Sequence, residues 1–254
     1  MEITYELNPP KVARRDGRFD QRQLDTDIRT LTERASQLGR HVRGIHLTDS
    51  VLGVPRVSSI TAASFVKGVI QQDVKLSCSI RTRDRNVITL CQAAADAVIS
   101  EIDSLLILLG DAPTDGRNSG LRPSQAVRLL REQGFDRRIK LDLSFPAKIT
   151  DRGAPAIQAK LDAQPRALVT QSISSLSDLG EIVDLARPHG IKVVACIMVP
   201  SEKNEQSAMM IGLDWSGYKK EPAEFVKSAG RMAESVLLTS PNSFSSGMAL
   251  LKEL

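Results

Sequence analysis

The sequence alternates short runs of apolar, often β-branched residues with longer amphipathic segments along its whole length. Short apolar runs are typical of strands buried in a parallel sheet, and the amphipathic segments between them are typical of helices that cover such a sheet. The pattern therefore predicts repeated βα units. The predicted strands cover positions 3–7, 42–47, 74–78, 104–108, 139–143, 167–170, 191–198 and 236–239.

Helices are predicted between these strands, at positions 19–38, 57–71, 84–100, 124–133, 154–161, 177–186, 222–233 and 243–254. Strict alternation of eight strands and eight helices over 254 residues predicts the α/β class, as a single (β/α)8 TIM barrel at positions 1–254. No GxGxxG motif follows the first strand, which argues against a dinucleotide-binding Rossmann domain. In the mixed stretch 201–220, Trp215 and Tyr218 are interpreted either as part of a lid or as a packing element.

Hydrophobic residues make up 41% and charged residues 25% of the chain, as in soluble globular proteins. No apolar run approaches the roughly 20 residues of a membrane span, and the first residues form no leader peptide, so we expect a cytoplasmic protein without membrane contact. The cysteines and histidines show no metal-site spacing. With aromatics at 4% and a net charge of +4 spread along the chain, an anionic small ligand explains the basicity at least as well as nucleic acid does.

Two carboxylates stand where predicted strands give way to loops. Glu6 precedes the NPP at positions 8–10, and Asp111 follows the LG at positions 109–110. Because the C-terminal ends of barrel strands carry the chemistry, these acids suggest one shared site. A partly desolvated Glu6 has a raised pKa and can act as a general acid; the alternative is a lysine partner across the barrel. Asp111 can accept hydrogen bonds from a heterocyclic ligand, or cap the next turn.

Further polar side chains are predicted at the same rim. Gln171 ends the sixth strand, and its amide suits the edge of a pterin or flavin ring; the alternative is a loop glutamine bonded to backbone. Lys160 can face a phosphate or be a solvated charge. The hydroxyls at positions 48–50 and the third-strand residues 75–78 can hold phosphate or ribityl oxygens. A solvated face is the default interpretation of the cationic cluster Arg81, Arg83 and Arg85, with attraction of a polyanionic tail as the alternative.

The ordered set of these motifs resembles the methylenetetrahydrofolate reductase family. YELNPPK at positions 5–11 looks like the family's FEFFPPK, KLSC at 75–78 like its HLTC strand, and LLGDAP at 108–113 like its L-R-G-D-x-P. VTQ at 169–171 looks like its I-T-Q, with Lys160 at the family's spacing before it. CIMVP at 196–200 and LTSPN at 238–242 look like its GIMP(V) and Y-T-L-N-R segments. The resemblance therefore covers the whole chain, in family order.

The resemblance implies reduction of methylenetetrahydrofolate, or a related pterin, to the methyl form by NAD(P)H through bound FAD, in one-carbon and methionine metabolism. It implies that Glu6 protonates the folate ring nitrogen, that Asp111 holds the pterin, and that Gln171 contacts folate and nicotinamide in turn. It assigns the flavin contacts to Thr48, Lys75, Ser77, Leu108, Leu109, Asp111 and Lys160. It also implies a homo-oligomer or a complex with a partner subunit.

Several departures from the family fall on its flavin contacts. Leu109 replaces the arginine before Gly-Asp, Lys75 replaces the histidine of HLTC, and Ser243 replaces the final arginine. The segments 50–54 and 172–175 replace a glycine-rich loop and an aromatic run. Two alternatives therefore stay open. One is a flavin-free or partner-dependent pterin enzyme, either a direct hydride reductase or a methyltransferase, and the other is a non-catalytic pterin-binding subunit.

Overall fold

The computed structural model describes residues 1–13, 17–112, 116 and 118–254. Its strands pair in sequence order, all parallel, and β8 returns to β1 to close the barrel. The single (β/α)8 barrel predicted from the sequence is confirmed. The strands are β1 (Glu2–Leu7), β2 (Gly44–Leu47), β3 (Lys75–Arg81), β4 (Ser104–Leu108), β5 (Lys140–Phe145), β6 (Ala167–Thr170), β7 (Lys192–Met198) and β8 (Ser235–Thr239).

The helices of the described residues surround this barrel. They are α1 (Gln21–Leu38), α2 (Ser59–Lys67), α3 (Val87–Ile99), α4 (Pro123–Glu132), α5 (Ala154–Leu161), α6 (Leu176–Ala186), α7 (Glu205–Met210), α8 (Pro222–Met232) and α9 (Phe244–Leu251). Side chains of Asp20, Ser58, Asn86, Ser175 and Ser243 cap the first turns of five of them, which explains why those helices begin where they do. Within the described residues, no helix is long and apolar enough to cross a membrane.

The strand registers are staggered around the barrel. The stagger is measured by following the paired residues once around the barrel, starting at Glu2 on β1. The path runs through Ser235, Val194, Val169, Ser144, Leu108 and Arg81. It returns to β1 at position 10, which is eight residues beyond Glu2. A displacement of eight residues over eight strands is the stagger of (β/α)8 barrels. Adjacent strands are therefore offset by about one residue, and this offset decides which side chains share a level inside.

The two faces of the strands pack differently. Outward side chains form the main core under the helices; Tyr5, for example, is 1% exposed and meets the Phe244 ring edge-on at 6.2 Å. Inward side chains form a small apolar cluster of Leu106, Ala167, Val169, Val194, Cys196 and Leu237. The rest of the interior is polar, and near the N-terminal ends of the strands it encloses a cavity of about 90 Å³.

Ion pairs close this N-terminal end. Arg166 donates from Nε and Nη2 to the two carboxylate oxygens of Asp142, at 2.7 and 2.6 Å. Because Asp142 is only 3% exposed, this two-point pair satisfies a buried charge that would otherwise be costly. Lys75 and Glu2 pair nearby at 3.3 Å. Paired charges therefore close the N-terminal end of the barrel.

The mixed stretch 201–220 contains the short helix α7. Trp215 and Tyr218 are 7% and 2% exposed. The Tyr218 hydroxyl donates to Met198 O at 3.0 Å, and its ring stacks on Phe225 at 4.2 Å. The two aromatic residues are therefore a packing element that holds this insertion against β7 and α8, and the interpretation as a lid is not supported.

Candidate active site at the barrel mouth

Inward side chains form two levels near the C-terminal end of the barrel. Since neighbouring strands are offset by about one residue, alternate strands contribute to each level. The lower level holds Glu6, Ser79, Ser144 and Cys196. The upper level, nearer the mouth, holds Thr48, Leu108, Gln171 and Thr239. The fold therefore brings four of the sequence-predicted site residues together: Glu6, Thr48, Leu108 and Gln171.

Glu6 is the ionisable group at the centre of this arrangement. It is partly buried, and Thr239 Oγ1 donates a hydrogen bond to its Oε1 at 2.7 Å. Burial raises the pKa of Glu6, and the hydrogen bond from Thr239 offsets only part of that effect. The carboxyl therefore keeps its proton at a higher pH than a solvated glutamate, as a general acid requires.

The thiol of Cys196 shares the level of Glu6. Its Sγ lies 3.7 Å from Ser172 Oγ. Burial, and then the nearby Glu6 carboxyl, raise the pKa of Cys196 to about 12. A thiol with such a pKa stays neutral and unreactive at physiological pH, so Cys196 serves as an apolar wall beside the acid.

Thr48 and Gln171 stand above the acid. Thr48 Oγ1 donates to Asn8 Oδ1 at 2.7 Å, which ties the end of β2 to the loop after β1. The Gln171 N–H donates to Phe145 O at 2.8 Å, so the parallel ladder continues past β6 and alternation directs the amide inward. The Gln171 side chain is exposed and available to a ligand.

Asp111 lies at the same end of the barrel but on another side. Its Oδ2 accepts a hydrogen bond of 2.7 Å from the N–H of Leu52, a residue with a left-handed φ of 60° in the turn Val51–Gly53. Asp111 therefore joins the loop after β2 to the loop after β4, whereas Glu6 of β1 is hydrogen-bonded to Thr239 of β8. Pro113, which completes the LLGDAP motif, lies outside the described residues, as do Asp115 and Arg117 of the following loop.

Arg81 was missed by the sequence analysis, which took its cluster as a solvated face. The side chain is 1% exposed. Its Nη1 donates to Ser50 O at 2.6 Å, and its Nη2 donates to Asp111 O at 3.0 Å and pairs with Asp84 at 3.1 Å. Arg81 therefore connects three loops around the mouth. The available signal was the alternation of Ser77, Ser79 and Arg81, which extends the strand three residues beyond its predicted end.

Gly110 makes room for this arginine. A Cβ at Gly110 would lie 2.8 Å from Arg81 Nε, and the φ of +82° at Gly110 is unfavourable for other residues. Close packing against the buried Arg81 guanidinium therefore explains why the LLGDAP motif has a glycine at position 110.

The predicted positions of Lys75 and Ser77 at the rim are wrong. Lys75 is the first residue of β3, at the N-terminal end of the barrel, where it pairs with Glu2. Ser77 is the next inward residue of β3 after Lys75 and contacts His46 Nδ1 at 2.8 Å. The physical reason is the length of β3: the strand runs on to Arg81, so residues placed near its end by the sequence lie near its beginning.

His46 is buried and is held between two hydroxyls. Its ring nitrogens lie 2.8 Å from Ser77 Oγ and 2.8 Å from Ser79 Oγ. Burial lowers the pKa of His46 to about 4, so the imidazole is neutral at physiological pH. Within the described residues, His46 belongs to no group of side chains that could hold a metal ion.

Lys160 reaches the barrel from the outside. From α5 its Nζ donates to Ser144 O at 2.5 Å, at the C-terminal end of β5. Burial, and then the charge of Arg152, lower the pKa of Lys160 to about 8. The lysine therefore holds a strand end, and neither the phosphate contact nor the freely solvated charge describes its position.

The residues predicted to hold FAD do not form one cradle. Thr48, Leu108, Leu109 and Asp111 lie at the mouth, whereas Lys75 and Ser77 lie deeper and Lys160 is bound to a strand carbonyl. Arg81 is the buried cation that lies nearest to Lys75 and Ser77 in the sequence. Its Nη1 and Nη2 donate to loop carbonyls and pair with Asp84. Its Nε packs against Gly110 and has no hydrogen-bond partner among the described residues. The side chains present do not fit FAD in the predicted arrangement.

No model of a known protein family matches the sequence, and no curated protein is significantly similar to it. Solved structures do match the fold. The chain is similar to a mandelate racemase/muconate lactonizing enzyme-like protein from Rubrobacter xylanophilus, with a TM-score of 0.55 and 12% identity over 94% of this chain and 52% of that one. The chain thus spans about half the length of that relative.

Two further structures are similar over most of their length. Deoxyribose phosphate aldolase from Aeropyrum pernix gives a TM-score of 0.55 at 12% identity, over 99% of this chain and 88% of the aldolase. The GH99 endo-α-mannosidase from Bacteriodes thetaiotaomicron gives 0.60 at 12% identity, over 96% and 84%. At such identity the likeness shows the (β/α)8 fold alone, because this fold supports many unrelated reactions.

Proposed function

We propose that the protein is an NAD(P)H-dependent reductase that converts a methylene-pterin to its methyl form, with Glu6 as the general acid. The single observation that carries the proposal is the partly buried Glu6 carboxyl of raised pKa at the barrel mouth. Further support comes from Gln171 and Thr48 one level above it, and from the family-like motifs in their order along the chain.

The reaction needs one proton and one hydride. Glu6 gives its proton to a ring nitrogen of the pterin as the C–N bond of the five-membered ring breaks, which leaves a methylene iminium. Hydride from the nicotinamide ring adds to the methylene carbon, so that the methyl-pterin and NAD(P)+ are the products. Solvent returns a proton to Glu6 after the product leaves.

The other side chains of the two levels assist this chemistry. The Gln171 amide can both donate to and accept from the edge of the pterin ring, which orients the methylene carbon. Thr239 holds the Glu6 carboxyl in one position. Cys196 and Leu108 provide apolar surface around the acid, which limits water near the iminium.

In this proposal the nicotinamide delivers its hydride directly. The placement of Lys75 and Ser77 favours this route over one through FAD, because these two predicted flavin contacts lie away from the mouth. An absorption spectrum of the purified protein, before and after FAD and NADH are added, tests this choice. Flavin bands that bleach with NADH would reinstate the flavin route; a colourless protein that turns over without FAD would support direct transfer.

Glu6→Gln tests the acid. We expect a loss of about a hundredfold or more in turnover of methylenetetrahydrofolate, the usual contribution of a positioned acid. Glu2→Gln is the matched control, because it removes a carboxylate from the same strand at the opposite end and should leave turnover nearly unchanged. Normal turnover in Glu6→Gln would remove the acid from the mechanism. A wild-type protein inactive with both NADH and NADPH would overturn the proposed reaction.

A further inference from the structure

A second cleft opens beside the mouth, with a volume of about 380 Å³. Its walls come from the loop after β1, the inner side of α1, and the loop between β8 and α9. Glu6 belongs both to the lining of this cleft and to the lower level of the barrel interior, so the cleft borders the candidate active site. The side chains that concern its charge are Glu6, Lys11, Asp27, Arg34 and Arg56.

Three cations line this cleft, and none of them pairs with a carboxylate within the part of the chain that the structure describes. Lys11 is exposed, and its side chain makes no hydrogen bond or ion pair with the described residues. The Arg34 guanidinium lies 5.3 Å above the Phe244 ring. Arg56 Nη1 donates to Pro9 O at 2.6 Å, a backbone acceptor that leaves its charge uncompensated.

Arg56 also carries an unsatisfied donor. Its Nε is buried and has no hydrogen-bond partner among the residues that the structure describes. The backbone holds the residue in place, because Val12 N–H donates to Pro55 O at 3.1 Å and Val57 N–H donates to Pro10 O at 2.9 Å, as an antiparallel bridge. A buried, unpaired guanidinium N–H on a fixed backbone calls for an acceptor, and none is provided by the described chain.

The two carboxyls of the cleft offset only part of this positive charge. Glu6 is bonded to Thr239, and its burial favours the neutral form. Asp27 accepts a hydrogen bond from Gln23 Nε2 at 2.8 Å, within α1. The cleft therefore keeps a surplus of positive charge next to the acid, and low-dielectric walls concentrate the field of such a surplus.

We propose that this cleft is an anion subsite, in which Lys11, Arg34 and Arg56 bind the carboxylate or phosphate oxygens at the far end of a ligand that reacts at Glu6. The assignment of that ligand rests on the proposed function. In the proposed reaction two molecules carry such groups: the pterin substrate has a glutamate tail, and the nicotinamide dinucleotide has a diphosphate. Cations arranged around a cleft recognise both by charge-assisted hydrogen bonds.

Direct binding tests the subsite without any need for turnover. Isothermal titration calorimetry measures the affinity of the wild-type protein for a triglutamate peptide and for inorganic pyrophosphate, at low and high salt. We expect binding of at least one probe that weakens with salt, and about a tenfold loss of affinity in Arg34→Gln and in Lys11→Gln. Failure of both probes to bind, or unchanged affinity in both variants, would overturn the subsite.

Two further variants control for charge and folding. Arg187→Gln removes a cation that is 72% exposed and lies just before β7, so it should leave both affinities unchanged. Arg34→Lys keeps the charge and should retain most of the affinity, whereas a purely structural role for the stacking of Arg34 on Phe244 would not be rescued in this way. Thermal denaturation of each variant checks that the fold is intact.

Steady-state kinetics then distinguish the two sources of the anion. A raised KM for methylenetetrahydrofolate at unchanged kcat in Arg34→Gln assigns the cleft to the glutamate tail, and a raised KM for NAD(P)H assigns it to the diphosphate. An active enzyme in which neither KM changes would overturn the link to the reaction. If the wild-type protein binds a probe but does not turn over, the subsite stands and the proposed function fails.

Discussion

The Thr239 hydroxyl donates a hydrogen bond of 2.7 Å to the Glu6 carboxyl, across 233 positions of sequence. This contact crosses the seam where the first and last strands close the barrel. The environment that raises the pKa of Glu6 therefore exists only after both ends of the chain have folded against each other. Burial disfavours the ionised form of Glu6, so the carboxyl used in the proposed reaction also lowers the stability of the fold when it is ionised.

Glu6→Gln should change the pH dependence of stability as well as activity. Because the pKa of Glu6 is raised in the folded state, its contribution to the unfolding free energy is fully present below the unfolded pKa and is lost as pH rises through the folded pKa. Glutamine does not ionise, so the variant should gain stability relative to wild type as pH rises above the ordinary glutamate pKa of about 4.3. Urea denaturation at several pH values measures this, and parallel stability curves for the two proteins would contradict it.

His46→Gln should flatten the stability curve on the acid side. The folded pKa of about 4 lies below the ordinary value of 6.5, so the stability contributed by neutral His46 is present above pH 6.5 and is lost as pH falls through about 4. A shift of this size corresponds to a loss of about 3 kcal/mol. His189→Gln is the control, because His189 is exposed. Urea denaturation between pH 7 and pH 4 should show a smaller loss in His46→Gln than in the control.

Arg81→Lys should destabilise the protein by about 2–4 kcal/mol, because one ammonium cannot replace a guanidinium that serves Ser50 O, Asp111 O and Asp84 from a buried position. Arg83→Lys is the matched control, since Arg83 makes a single side-chain bond within the described residues, to Gly110 O at 3.0 Å, and this variant should lose less than about 1 kcal/mol. Denaturant unfolding compares the two, and equal losses would show that Arg81 does not hold the loops together.

Gly247→Ala and Gly68→Ala should have opposite effects. A Cβ at Gly247 would lie 1.9 Å from the Tyr5 hydroxyl, and Tyr5 is too closely packed to move, so we expect a loss of about 2–3 kcal/mol. At Gly68 the nearest atom is 3.6 Å away and the φ of −70° suits alanine, so the change should be neutral or stabilise by up to about 1 kcal/mol. The thermal unfolding midpoints of the two variants and the wild type test this prediction. An unchanged midpoint in Gly247→Ala would mean that the contact between α9 and β1 is loosely packed.

Local patterns predicted several elements well. The observed bounds of Ser104–Leu108, Ala154–Leu161 and Ala167–Thr170 match the predicted ones, because each is a short apolar or amphipathic segment limited by polar, glycine or proline positions. The third strand was cut short at position 78, since Ser79 and the basic cluster from Arg81 onward are polar. Those residues continue the strand because their side chains enter the barrel mouth, where loop carbonyls meet the guanidinium of Arg81.

The candidate site was predicted in part for the same reason. Glu6 and Gln171 stand at strand ends that the sequence locates correctly, so their meeting at the mouth follows from the barrel alone. The placement of Lys75, Ser77 and Lys160 depended on strand length and on contacts between distant segments, which a local pattern does not contain. The cationic cleft was not predicted either, because Lys11, Arg34 and Arg56 become neighbours only through the packing of three separate elements.

The sequence by itself determined the βα alternation, and with it the parallel barrel, because hydrophobic periodicity is a local property and eight such units close in one way. Tertiary structure alone decided the level of each inward side chain, the burial of Arg81, and the raised pKa of Glu6. These depend on strand stagger and on desolvation by residues far away in the chain, and both are set only when β8 pairs with β1.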